Sequence, residues 1–576
     1  MRERDSLSSG RRRLWGGLGL VLLATLGAYL PVFDNQFTNW DDPLYVLENP
    51  LIRGLDGPHL KQIFSTYLLG NYHPLTVLSY AVEYHFSRLD PFLYHLDNLL
   101  LHLGNTALVF SLVYLLFRQP LAALLAAALF GLHPLNVESV AWISERKGLL
   151  SVFFFLAALV CYVSYLKQGR LFGLRNRRLV VALLLFSCAL LSKGTAVTLP
   201  VVLLLFDWFT GRPLTRAALF EKLPFFALSF LFGILALHAQ ESVDAIKTTG
   251  YSLLTSFSAA NLGLLTYLRR LLLPLDQACF YPYPELKTQG SQIIFYGSPL
   301  LVLLLLALLL LSLKRTRLLL FGALFFLLTV APVIQLLPVG NAITADRYTY
   351  LPYVGLFLVA GRGAAVLTAR RPRVRAPLVI ALVLVLGACS VLTWRRCQVF
   401  ENTATLWTDV IAKQPQNPMA YNSRGEYYFN RGEYDQALQN FEQALEIAPF
   451  YAAGYSNRGA VHQVRDEWEQ ALADYDRSIA LKPDEPKSHL NRGMVQFYLG
   501  HPEEAVRDLT FALERMGAVG AAFLYRALAN EQLGRYDRAL SDAQRARALG
   551  ERFHDQDGRD ITPDYLEFLK TQHENG

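Results

Sequence analysis

Over residues 14–394 the chain alternates long apolar runs with short polar connectors, whereas from residue 401 onward apolar residues recur at helical spacing in otherwise polar sequence. An apolar run of about 20 residues satisfies its backbone as a helix, and such a helix crosses the hydrocarbon core of a bilayer. Runs of spanning length lie at 14–32, 93–117, 121–135, 149–166, 223–237, 293–313, 318–337, 348–368 and 377–394. The stretch 179–209 is broken by Ser192-Lys193-Gly194 and predicts two short spans meeting at the break. The pattern predicts an all-α chain, with a membrane region of about eleven spans at residues 1–400 and a second domain at 401–576.

The basic residues orient these spans. Arg11-Arg12-Arg13, Arg118, the group Lys167, Arg170, Arg175, Arg177 and Arg178, the pair Arg212 and Arg216, the group Lys314, Arg315 and Arg317, and the group Arg370, Arg371, Arg373 and Arg375 fall between alternate spans. All are cytoplasmic together if the N-terminus is cytoplasmic and the polar C-terminal region lies outside. No small-residue cleavage site follows the first run, so it predicts a retained anchor. Segment 256–273 is apolar enough to cross but contains Arg269-Arg270, and a crossing there would invert every later span; it predicts an interfacial helix pair. The formal net charge of +7 sits mostly in short connectors, where it reports orientation rather than a nucleic-acid surface. Cys161, Cys188, Cys279, Cys389 and Cys397 show no C-x-x-C spacing, which implies neither a disulfide framework nor a metal site.

The polar region repeats with a period of 34 residues. Pro415, Pro449 and Pro483 share this register, as do Gly425, Gly459 and Gly493, and Ala437, Ala471, Ala505 and Ala539 extend it to four repeats. This is the helix–turn–helix period of tetratricopeptide (TPR) repeats. The prolines punctuate each unit, the small residues let paired helices approach, and only a stack of units buries the apolar faces. The array at 415–550, with 561–571 as a capping helix, predicts a concave surface for a protein or peptide; its plainest alternative is a spacer.

On this topology a set of polar residues collects at the outer ends of the spans. Charge beside hydrocarbon is costly, so each is a candidate for function. The loop FDNQFTNWDDPLYVLENP carries Asp41-Asp42; Asn71-Tyr72-His73-Pro74 follows, then HPLNVESVAWISERKG with His133, Glu138 and Arg146. Lys193 stands at the broken span, and residues 341–348 bring Asn341, Asp346, Arg347 and Tyr348. A carboxylate that deprotonates a hydroxyl, with cations that hold a leaving phosphate at the end of a lipid, would suit one reaction. Each piece also has a structural reading. Asp41-Asp42 before Pro43 can cap a helix, His73-Pro74 and His133-Pro134 can be polar turns, Glu138 and Arg146 can form an ion pair, and Arg347 can anchor an interface. Convergence on one face favours chemistry. The Asp-Asp pair is compatible with a divalent metal, but nothing else in the sequence requires one, and no cofactor is implied.

The Asp-Asp pair, LFGLHPLNVESVAWISERKGLL, LLSKGTAVTLP and ADRYTYLPYVG, in this order and followed by the repeats, resemble the transmembrane-and-TPR-containing O-mannosyltransferases and their bacterial relatives. The resemblance runs through essentially the whole chain. It implies a GT-C-type fold whose membrane-embedded site faces the lumen or periplasm. It also implies transfer of a sugar, mannose or another hexose, from a polyprenyl-phosphate carrier to Ser or Thr hydroxyls. It places the base at Asp41 or Asp42, the donor phosphate at Arg347, Lys193 and Arg146, and His73, His133, Glu138 and Tyr348 along the site. The acceptor would be a protein or peptide held by the TPR groove. Where animal members tend to carry an acidic residue, this chain has Lys147. The sequence contains no Asn-x-Ser/Thr sequon, which points to a bacterial inner membrane with the repeats in the periplasm. Two other classes fit less of the sequence. A lipid-linked ligase of envelope glycans would concentrate its basic residues in one large late outer loop, and a membrane-anchored TPR scaffold would need only one span.

Overall fold

The structure, a computed structural model, describes residues 2–167, 176–241, 252–284, 286, 288–334, 336, 342–554 and 560–575. Arg170, Arg175 and Asn341, singled out above, lie outside the described residues. The chain forms two compact units, Met1–Leu406 and Trp407–Gly576.

Among the described residues seven helices of the first unit are long and apolar enough to cross a membrane: Arg12–Asp34, Pro91–Phe117, Ile143–Leu166, Arg216–Glu241, Gln289–Ser312, Tyr353–Arg370 and Pro372–Val399. An eighth arises if Pro120–Leu132 and Pro134–Ala141, bent by 54° at His133, form one span. The expected count of about eleven is therefore not confirmed. The other apolar segments are short: Arg177–Ser192 has 16 residues and ends at Lys193, Gly194–Thr210 starts beyond that break, and Leu318–Val333 stops near Pro332. At 1.5 Å per residue these fall short of a core about 30 Å thick.

Burial sorts the spans into layers. In Gln289–Ser312 and Pro372–Val399 only 11% of the most apolar window is covered by protein, against 56% in Ile143–Leu166. An apolar helix left uncovered is stable only against lipid, so the first two are peripheral and the last is central. Close helix contacts use small residues, as membrane packing requires. Gly322 and Gly355 face each other so closely that a Cβ on either would lie 2.7–2.8 Å from the other's carbonyl oxygen.

The segment expected as an interfacial helix pair is a single helix, Leu253–Leu272, capped by Ser252. Its two arginines separate, which is why a break is unnecessary. Arg269 is exposed and pairs with Asp276 at 3.3 Å, while Arg270 is buried and approaches Asp346 at 3.5 Å. Nearby, Tyr281–Pro282 and Ala342–Thr344 form an antiparallel two-stranded ladder, a small exception in an otherwise helical chain.

The long polar connector after the first span folds into a layer of its own. Pro43–Leu47, Pro50–Ile52, Gly57–Ser65 and Pro74–Ser87 are all helical. Tyr45, Val46, Ile52, Ile63, Val77 and Tyr80 form a buried cluster there with Tyr94 and Ile143. This layer fixes the first acidic pair over the helix ends.

The second unit has four helix pairs in the expected register: Pro418–Asn430 with Tyr434–Ile447, Ala452–Val464 with Trp468–Leu481, Pro486–Tyr498 with Pro502–Met516, and Gly520–Gln532 with Tyr536–Ala548. A polar ladder repeats with the apolar one. Arg458, Arg492 and Arg526 pair with Asp474, Asp508 and Asp542, each 16 residues on. Arg424 meets Asn440 in the first repeat at 2.9 Å. The last helix, Thr562–Asn575, buries Leu569 against Ala527, Ala539 and Ala543 and so caps the stack.

Candidate active site

The two acidic residues of the first loop have different surroundings. Asp42 is buried at 1% exposure. Its Oδ2 accepts from the Thr38 amide at 2.8 Å and the Thr38 hydroxyl at 3.0 Å, and its Oδ1 accepts from the Ser144 amide at 3.1 Å and the Ser144 hydroxyl. Burial holds this carboxyl above its ordinary range, and the hydrogen bonds from Ser144 and Thr38 offset only part of that rise. All its lone pairs are thus engaged in pinning the first loop to the turn Ile143–Glu145. Asp41 is more open, with a side chain 26% exposed, and its Oδ2 meets Lys147 Nζ at 3.3 Å. Lys147 also lies 4.3 Å from the centre of the Tyr45 ring. The two carboxylates therefore serve different partners. Among the described residues no group of three His, Cys, Asp or Glu side chains is placed to hold a metal ion.

The cations divide in the same way. Lys193 and Arg347 line one small, part-open cleft, together with Glu145, Tyr348, Tyr350, Ser151, Thr195, Thr329 and the apolar side chains Val152, Val333 and Leu351. Lys193 donates to Glu145 Oε1 at 2.5 Å. Arg347 Nε lies 4.0 Å from Glu145 Oε2. On its other side Arg347 pairs with buried Glu138, through its guanidinium and through its backbone N–H at 3.0 Å. Burial acts against the Arg347 charge, but Glu138, Tyr348 and Glu145 more than offset it, so the guanidinium remains charged. Its Cζ also stands 5.2 Å from the Trp142 ring, which stacks on Trp40 at 4.9 Å.

Arg146 sits apart from this group. It is 1% exposed, and its donors reach Glu83 at 2.7 Å, Asn98, and the Tyr94 carbonyl at 2.7 Å. Its burial and its pairing with Glu83 set Arg146 apart from the cleft that Lys193 and Arg347 line. A buried arginine between helices needs its own carboxylate, and nothing local in the sequence marks Glu83 as that partner. The alternative pairing of Glu138 with Arg146 does not form either, because Glu138 takes Arg347.

His133 is buried, caps its own turn by accepting from the Leu135 amide, and meets the Leu271 carbonyl at 3.1 Å. It acts as a polar turn and does not line the cavity. His73 is buried against Tyr45 at 5.3 Å between ring centres. Burial, with Lys147 and Lys193 nearby, pulls its basicity down to about 3, so it is neutral. Asp346, beside Arg347 in sequence, is buried and accepts from the Tyr281 hydroxyl at 3.0 and 3.1 Å.

Sequence patterning missed Glu145, Lys147 and the Trp40–Trp142 stack. Their signal was the density of charge in SERKG, next to an apolar run where charge is expensive. The arrangement offers a partly exposed carboxylate, Asp41, paired with Lys147, and a cleft lined by two cations, one carboxylate and a mixture of apolar and hydroxyl-bearing side chains. Asp42→Ala is expected to destabilise the chain by about 2–4 kcal/mol, because four buried donor contacts lose their acceptor. The midpoint of thermal unfolding in detergent measures this; an unchanged midpoint would contradict the placement of Asp42.

Tetratricopeptide-repeat family models match residues 418–451, 459–519 and 490–552. The chain is 34% identical over 145 residues to Protein O-mannosyl-transferase tmtc2 of Xenopus laevis, covering 25% of this chain and 17% of that protein. It is 24% identical over 414 residues to Protein O-mannosyl-transferase TMTC3 of Homo sapiens, covering 66% of this chain and 45% of that protein. It is 37% identical over 133 residues to Protein O-mannosyl-transferase Tmtc1 of Drosophila melanogaster, covering 22% and 14%. The chain thus spans less than half the length of these relatives. Among solved structures, MamA protein is similar over 25% of this chain and 79% of that one, at 20% identity and a TM-score of 0.23. The chain is thus similar, over part of their length, to the transmembrane-and-TPR-containing protein O-mannosyltransferases, and it carries tetratricopeptide repeats at 418–552.

Proposed function

We propose that this chain is a membrane glycosyltransferase that moves a sugar, mannose or another hexose, from a polyprenyl-phosphate carrier to Ser or Thr hydroxyls of protein acceptors at the non-cytoplasmic face. The observation that carries this reading is the presence of Lys193 and Arg347 together on one cleft whose remaining wall mixes apolar and hydroxyl-bearing side chains. With Glu145 counted, the charged lining carries one net positive charge, which suits the single negative charge of a sugar–phosphate diester. The names of the relatives support the same chemistry.

In this account Asp41 is the base. The acceptor oxygen forms a bond to the anomeric carbon as its proton passes to Asp41, and the carbon–oxygen bond to phosphate breaks with its electron pair leaving on the phosphate. Direct displacement inverts the anomeric centre. Lys193 and Arg347 stabilise the departing charge in a site poor in water, while Lys147 orients Asp41. Asp42 holds the loop. The repeats present the acceptor and raise its effective concentration. The N-terminus is cytoplasmic and the repeats periplasmic, in a bacterial inner membrane.

Two tests address the two-part design. Cysteines placed at Asn71 and Pro449 are expected to react with a membrane-impermeant reagent in intact cells, and one at Arg371 only after lysis; labelling of Pro449 only after lysis would overturn the orientation. Deleting the chain after Lys413 is expected to leave transfer to a small hydroxyl acceptor intact while transfer to protein acceptors falls about 10- to 100-fold. A folded truncation equally slow on both would show that the repeats belong to the catalytic fold.

A further inference from the structure

The cavity that holds both cations also holds a carboxylate, and its presence there is costly. Glu145 is 1% exposed. One oxygen takes Lys193, but the other accepts no hydrogen bond among the described residues and faces Arg347 only at 4.0 Å. A buried carboxylate oxygen left unpaired is normally eliminated. The helix instead makes room for it: a Cβ at Gly148 would stand 2.3 Å from Glu145 Oε1, so a larger residue there would displace this group. A carboxylate needed only as counter-ion to Arg347 would be redundant, since Glu138 already pairs with that side chain closely.

Resting on the reading that this cavity holds the donor phosphate, we infer that Glu145 sets the cavity's charge to distinguish donor from product. The donor is a phosphodiester with one negative charge. Transfer breaks the bond to the sugar and leaves a phosphomonoester, whose second ionisation near pH 6 brings it toward two negative charges at neutral pH. The lining itself, with two cations and one carboxylate, matches the first species, Glu138 lying outside it on the other side of Arg347. The second meets Glu145 with an extra charge at close range, where an unscreened repulsion is large. Glu145 therefore expels the spent carrier, and without it the cations would retain the product more tightly than the substrate.

The test uses the full chain in detergent and two sugar-free probes that compete with a lipid-phosphate-linked sugar donor: citronellyl phosphate, a monoester, and its methyl ester, a diester. The wild-type protein is expected to bind the diester at least as tightly as the monoester. Glu145→Gln is expected to shift this preference toward the monoester by about ten-fold or more, with turnover slowed by product release. Glu145→Asp, which keeps the charge, is expected to preserve the wild-type order. If Glu145→Gln weakens both probes alike, Glu145 is only a structural counter-ion and the inference is overturned. Should that variant not fold, a wild-type preference for the monoester overturns it as well. Failure of both probes to compete in wild type would instead overturn the donor-site reading beneath it.

Discussion

Asp41→Asn is expected to lower sugar transfer by on the order of 10²- to 10⁴-fold, the usual loss for a missing general base, while the chain stays folded. The structure separates this effect from its neighbour's. Asp41 is partly exposed and has Lys147 as its charged partner, so an amide there keeps a hydrogen-bonding group at modest cost. Asp42 is saturated by Thr38 and Ser144, so its loss is first a loss of stability. Transfer rate and unfolding midpoint, measured on both variants, are expected to move in opposite combinations. Normal transfer by Asp41→Asn would remove the base from this mechanism.

Arg347→Ala is expected to have the largest combined effect. Removing the guanidinium leaves Glu138, 2% exposed, without its partner, and breaking a buried pair from one side costs about 3–5 kcal/mol. It also removes one of the two cations of the cavity, so the KM for donor is expected to rise with every acceptor alike. Arg347→Lys is expected to rescue part of the activity, since it restores charge but not the planar fork that reaches Glu138 and the cavity together. Donor titrations with one protein and one small acceptor check this. A KM that changes for only one acceptor would place Arg347 in acceptor recognition instead.

The repeats were legible residue by residue, because stacking forces the same small and punctuating residues into the same register. The membrane character was equally legible, but the number of spans was not. Apolar runs measure hydrophobicity, whereas the ends of helices are set by His133-Pro134, Lys193 and Pro332, which shorten segments that composition alone would carry across. For the site, Arg347 and Lys193 were recognisable as charges out of place, and the structure brings them to one cavity. Arg146 was equally conspicuous, yet it is spent on Glu83 across a helix interface. Nothing local to either residue announces that pairing, since they are far apart in sequence and meet only through packing. The same limit hid Glu145: a carboxylate directly before Arg146 and Lys147 is ordinary in sequence and becomes unusual only when its second oxygen is found without a hydrogen bond.

In the proposed mechanism Lys193 and Arg347 hold a lipid-linked sugar phosphate whose sugar passes to a protein hydroxyl. The direct measurement reconstitutes the full chain in lipid nanodiscs with a radiolabelled polyprenyl-phosphate mannose and a Ser/Thr-rich protein acceptor, and locates the label by mass spectrometry. Mannose is expected on Ser or Thr in the wild-type sample, and is expected to be lost when Lys193 and Arg347 are both replaced by Ala in protein that remains folded. Undiminished transfer by that double variant would contradict this mechanism.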